Sequence, residues 1–170
     1  MRIRTVMAGA LALAVVACTK PPLDEMQKTA LADSLAQYVA GPMMAMFEHP
    51  NADSLLALYA PGPDIQVAEN GAIYADRAAI ERAVRAVYGH PNVSARFTLA
   101  TPRIAVLSRD AAVYTTTIAG VITDSSGVAS PVRAAWTAVF VRVGGAWKLQ
   151  AEHMSSPPAP PPAVPARAHR

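Results

Sequence analysis

Trp136-Thr137-Ala138-Val139-Phe140-Val141-Arg142-Val143-Gly144-Gly145-Ala146-Trp147-Lys148-Leu149 is a β-branched and aromatic run divided by a Gly-Gly step. Two adjacent glycines supply the positive φ that both central residues of a two-residue hairpin turn require, so the chain is expected to reverse at Gly144 and Gly145. Arg142 then lies beside Trp147, Phe140 beside Leu149 and, if the register runs on unbroken, Trp136 beside His153. Side chains alternate between the faces of a strand. One face therefore reads Trp136, Ala138, Phe140, Leu149, Ala151 and His153, and the other Arg133, Thr137, Val139, Val141, Lys148, Gln150 and Glu152. The first, with the larger apolar groups, is assigned to the interior.

Working outward, residues 93–107, 111–123 and 132–143 are rich in Val, Thr, Ile and aromatics, and 146–155 closes the set; all four read as strands. Within 111–123 the larger side chains, Tyr114, Thr116, Ile118 and Ile122, are placed on the inner face. Pro102 has no amide hydrogen and marks a bulge or an edge position. Ahead of the strands, Leu23, Met26, Ala30, Leu31, Leu35 and Tyr38 recur at helical spacing, and Pro42 is expected to bend or break that helix. Asn51 or Asp53 caps a short second helix carrying Leu55, Leu56 and Tyr59, which Pro61-Gly62-Pro63 stops. A third helix starts at Asp76, buries Ile80, Ala83, Val84, Val87 and Tyr88, and ends at Gly89. Between these two helices, Glu69-Asn70-Gly71 favours a tight hairpin. Helices first and a strand meander afterwards define an α+β fold, with helices on one face of a curved antiparallel sheet.

The 170 residues, 52% of them hydrophobic and 16% charged, suffice for one core and exclude a multidomain enzyme. Of the 15 Lys and Arg, four stand at the extreme ends (Arg2, Arg4, Arg167, Arg170), leaving 11 against 12 Asp and Glu. A body so balanced offers no phosphate-binding surface, so no nucleic-acid partner is expected. The lone cysteine, Cys18, can form neither an internal disulfide nor a multi-thiolate metal site. It closes a segment with a basic start and an apolar run over residues 6–17, the layout of a secretory signal too short to span a bilayer. Val15-Val16-Ala17-Cys18 resembles a bacterial lipobox. That resemblance implies cleavage before Cys18, its lipidation, export across the inner membrane and anchoring in the envelope. Thr19 in place of Asp at the next position fits the periplasmic face of the outer membrane. The expected organisation is a signal peptide over 1–17, a lipidated linker over 18–22, the folded domain over 23–156 and an extended proline-rich tail over 157–170.

Asn51-Ala52-Asp53-Ser54-Leu55-Leu56-Ala57-Leu58-Tyr59-Ala60, Gly71-Ala72-Ile73-Tyr74 and the Trp136 to Leu149 run with His153 and Ser155 together resemble the SnoaL-like branch of the nuclear transport factor 2-like superfamily. The closing segment is also similar to the association domain of calmodulin-dependent protein kinase. The resemblance covers residues 23–156 and implies a cone-shaped sheet enclosing a pocket, often in a dimer, with no particular reaction. Where the kinase domain puts arginines toward its pocket, Ile118 and Ala138 stand here, which implies an apolar ligand rather than a carboxylate.

Polar groups of the inner face should converge at the open end of the cone. The ligand-binding candidates are Tyr59, Tyr88, Tyr114, Thr116, Trp136, Phe140 and His153. Asp64 and His153 are the candidate acid-base pair for an isomerase- or dehydratase-like reaction, provided that they converge. No phosphate loop, Ser-His-Asp order or metal-ligand spacing is present, so no metal or cofactor is expected. The β-branched outer face, Val113, Thr115, Thr117, Val121, Val139, Val141 and Val143, suits a homodimer. Three roles are compatible with this reading: a tethered module binding a small apolar molecule, an acid-base enzyme, and a structural protein of the envelope with a side-chain-filled cone.

Overall fold

The computed structural model describes residues 21–158. Cys18, the signal-like segment and all but the first two residues of the proline-rich tail lie outside them. Helix α1 (Glu25–Tyr38) begins with a capping box in which the Asp24 carboxylate accepts from the Gln27 amide at 2.7 Å. Its buried seam starts only at Leu31 and deepens at Leu35, whereas Ala30 is exposed and Met26 is 78% exposed. Helical spacing identified the right stripe but not how far along it a partner surface extends. Pro42 interrupts the regular α-helix but does not end the helical path. It sits in a π-helical turn, Val39–Met43, whose wider winding tolerates a residue without an amide hydrogen, and the chain continues as α2 (Met44–Glu48). Asn51 caps α3 (Ala52–Leu56) by accepting from the Asp53 and Ser54 amides. Strands β1 (Gln66–Glu69) and β2 (Ala72–Ile73) form the expected hairpin, with φ positive at Asn70 (49°) and Gly71 (87°). Asp76 caps α4 (Arg77–Tyr88), and Gly89 closes it.

The sheet is built from β3 (Ser94–Leu99), β4 (Arg103–Ser108), β5 (Ala111–Thr123), β6 (Ala129–Val143) and β7 (Ala146–Ser155), extended by β1 and β2. Its order is β2-β1-β7-β6-β5-β3, with β4 also on β5. The run over 93–107 is thus two edge strands separated at Pro102. Leu99 faces Ile118 and Arg103 faces Thr115, so the outer chain carries one extra residue there. The Thr116 hydroxyl donates to the Ala100 carbonyl at 2.8 Å across this bulge, which makes it a fastener of the sheet. Between β5 and β6 the register is continuous, pairing Tyr114 with Ala138 and Thr116 with Trp136, and the larger side chains of β5 face inward as expected.

Gly144 (φ 59°) and Gly145 (φ 85°) form the two-residue turn, and the pairing it sets holds as far as Phe140 opposite Leu149. There it slips. Val139 faces Ala151, Gln150 has no partner in the ladder, Trp136 faces Met154, and His153 faces Thr137. The unbroken register is therefore corrected beyond Leu149: Glu152 and Met154 turn inward, Ala151 and His153 outward. The bulge lies where β7 changes partner. Leu149 exchanges backbone hydrogen bonds with the 58–60 segment (Ala60 N to Leu149 O 2.7 Å, Leu149 N to Leu58 O 2.8 Å), after which β7 runs parallel to β1 from Ala151 opposite Gln66. The Gln150 amide, turned away, donates to the Asp64 carbonyl at 2.6 Å. Around Phe140, residues Leu35, Val39, Tyr114, Ala138, Trp147 and Leu149 form a packed core.

Candidate ligand cavity

Beyond the bulge, α4 stands off from the sheet and leaves a cavity of about 600 Å³. Ile80, Ala83, Val84, Val87 and Tyr88, the stripe expected to be buried, line it together with Ile118, Ile122, Trp136, Leu149 and Met154. Ile80 is buried, and the partial exposure of the other four stripe residues has a simple cause: the stripe faces a void. Phe47 and Phe97, in edge contact at 5.3 Å between centroids, form part of the wall.

Polar groups collect on one side. The Glu152 carboxylate, brought inward by the bulge, accepts from the Tyr59 hydroxyl on one oxygen and from the Trp136 indole at 2.8 Å on the other. Glu69, on the parallel neighbour β1, accepts from the Tyr74 hydroxyl at 3.3 Å. Burial raises the Glu152 carboxyl above the usual glutamate range; the hydrogen bonds from Tyr59 and Trp136 oppose that rise, and the charge of Glu69 adds to it. Burial, with Glu152 beside it, holds the Tyr59 phenol far above its ordinary value, and Tyr88 is pushed up to about 12 by burial and the two carboxylates. Both phenols stay neutral donors at any physiological pH. Among the described residues, no group of three or more His, Cys, Asp or Glu is arranged to hold a metal ion.

Tyr59, Tyr88 and Trp136 therefore lie in the cavity wall, and the other expected site residues do not. Tyr114 and Phe140 are buried in the packed core at 1% and 0% exposure, and Thr116 fastens the edge strand. His153 is exposed on the outer face, and Asp64 is an exposed loop residue used through its carbonyl. They do not converge on the cavity, so the acid-base pair fails on geometry. Glu152 and Glu69 escaped the sequence reading because strict alternation sends Glu152 outward, and a carboxylate is ordinarily a solvated group. The one available signal was Met154, an apolar side chain that the unbroken register left outside.

A curved sheet closed by helices around a partly polar cavity defines the class, and the comparisons agree. The SnoaL-like domain profile matches residues 36–160, and the chain belongs to that family. No curated protein matches it. Among solved structures it is similar to a protein of Xanthomonas campestris assigned as a calcium/calmodulin-dependent protein kinase II association domain. The two share 22% identity over 90% of this chain and 99% of that one, with a TM-score of 0.61. A protein of Novosphingobium aromaticivorans assigned as a scytalone dehydratase matches at 13% identity over 76% and 86%, TM-score 0.63. A nuclear transport factor 2-like protein of Rhodospirillum rubrum matches at 18% over 71% and 96%, TM-score 0.57. At such identities these likenesses establish the fold.

Proposed function

We propose that the protein is an envelope-tethered binding domain that holds a small, largely apolar molecule in its cone. The observation that carries this reading is the cavity itself: about 600 Å³, within the usual range for small-molecule sites, walled mainly by aliphatic and aromatic side chains with its polar groups on one side. A structural role with a side-chain-filled cone has no support in so open an interior, and the enzyme reading has lost the Asp64 and His153 pair on which it rested. Lipidation of Cys18 supplies the tether, each buried acyl methylene contributing about 0.8 kcal/mol to membrane attachment. The outer sheet face, where Val121 and Val143 are 40% and 38% exposed, is the proposed homodimer surface.

The test uses N-phenyl-1-naphthylamine, a neutral probe whose fluorescence rises in apolar surroundings. Wild-type protein should enhance its emission, and Ala83→Trp, which fills the cavity from α4, should abolish the enhancement with the near-ultraviolet circular dichroism otherwise preserved. Enhancement unchanged by Ala83→Trp would place the probe elsewhere and remove the reading. Fatty-acid labelling that persists in Cys18→Ala would remove the tether.

A further inference from the structure

The polar side of the cavity is one-sided in its hydrogen bonding. Of the aromatic donors in the wall, those of Tyr59, Trp136 and Tyr74 already point at carboxylates and the Tyr88 hydroxyl has no protein acceptor among the described residues, while both carboxylates keep open acceptor capacity. Each oxygen of Glu152 receives one donor and can accept another; one oxygen of Glu69 receives none from the protein. The charged residues in the wall are Glu69, Glu152 and Arg133, and Arg133 is exposed, on a β6 position whose parity points it to the outer face. A ligand reaching this end of the cavity meets two carboxylates, one diagonal step apart on adjacent strands, among aromatic side chains. An anion would be repelled there, and a neutral acceptor would find the Tyr59, Tyr74 and Trp136 donors engaged and only the Tyr88 hydroxyl free.

We propose that the cavity selects a hydrophobic organic cation, its ammonium group seated between Glu69 and Glu152 and its apolar body along Ile80, Val84 and Phe97. Charge-assisted hydrogen bonds to the carboxylates and attraction to aromatic rings both favour an alkylammonium over an alcohol of the same shape. This inference rests on the apolar-pocket reading above and adds the chemical class of the ligand.

Three probes with one apolar body separate the two ideas: 1-naphthylmethylamine, 1-naphthylmethanol and 1-naphthoate, titrated calorimetrically into the full-length chain at neutral pH. The amine should bind at least about tenfold tighter than the alcohol, and the alcohol tighter than the carboxylate. Glu69→Gln, which leaves both hydrogen bonds of Glu152 in place, should cut the preference for the amine severalfold with alcohol affinity nearly unchanged, and Glu69→Gln/Glu152→Gln should remove the preference. Alcohol or carboxylate binding as tight as the amine in wild-type protein would overturn the cation selectivity and leave the pocket standing. An amine preference that survives in the folded double variant would overturn it too. Failure of all three probes to bind, together with no response to N-phenyl-1-naphthylamine, would overturn both ideas.

Discussion

The inner face of one sheet ends in two different interiors. Beside the Gly144-Gly145 turn it is filled: Phe140 makes ring contacts with Tyr38, Tyr114 and Trp136 at 6.3, 6.2 and 6.1 Å between centroids and is fully buried. Beyond Gln150 it is hollow, and α4 presents its apolar stripe to a void. The same strand thus packs a core at one end and lines a cavity at the other, with the unpaired Gln150 between them. That difference sets the largest expected effect. Phe140→Ala should cost about 3–5 kcal/mol by urea denaturation, whereas Val84→Ala should cost about 1 kcal/mol or less, because its methyls already border open space. Equal losses would contradict the division into a packed and a hollow end.

A smaller effect probes the polar wall. Tyr59→Phe removes the donor to one oxygen of Glu152 and leaves that oxygen without a protein partner, a loss of about 1–2 kcal/mol. Because that hydrogen bond favours the ionised carboxylate, its removal should raise the Glu152 carboxyl further, which carbon-13 titration of the side chain would detect. An unmoved titration would show that the phenol does not stabilise the charge.

The pH dependence follows from the same group. Burial raises the folded-state value of Glu152, so the folded chain holds this proton more tightly than the unfolded chain does. The stability contributed is fully present below the ordinary glutamate range and is lost as pH rises through the folded value. Glu152→Gln cannot ionise, so its stability relative to wild type should improve as pH rises above the ordinary glutamate range. Parallel stability curves for the two proteins would contradict the assignment.

How far the fold was legible follows from where local rules and packing agree. Asp76, Gly89, the Asn70-Gly71 and Gly144-Gly145 turns and the β5 parity were readable because each rests on short-range chemistry or on an apolar pattern that the core obeys. Pro42 interrupts the regular α-helix, as its missing amide hydrogen requires, but a π-helical turn absorbs it without a break in the chain's helical path. Gln150 could not be read, since a bulge is fixed by what lies beside the strand, here the 58–60 segment and β1, and those partners arrive from far along the chain. The error then passed to every residue beyond it, exchanging His153 for Glu152. The pocket aromatics Tyr59, Tyr88 and Trp136 were unaffected, because neither helical spacing nor the alternation of side chains along β6 passes through Gln150.

The smallest expected effect is therefore the sharpest check on that border. Asp64→Ala and His153→Ala should each change stability by no more than about 0.5 kcal/mol, and neither should alter binding of N-phenyl-1-naphthylamine. Asp64 holds the Gln150 amide through its backbone carbonyl, which the substitution keeps, and the imidazole of His153 stands in solvent opposite Thr137. Gln150→Ala, in contrast, should cost about 1 kcal/mol, since it deletes the donor that ties the bulge to the loop. If His153→Ala abolished probe binding, the imidazole would have to face the cavity. The register would then be unbroken, Glu152 would turn outward, and the carboxylate end of the pocket would not exist.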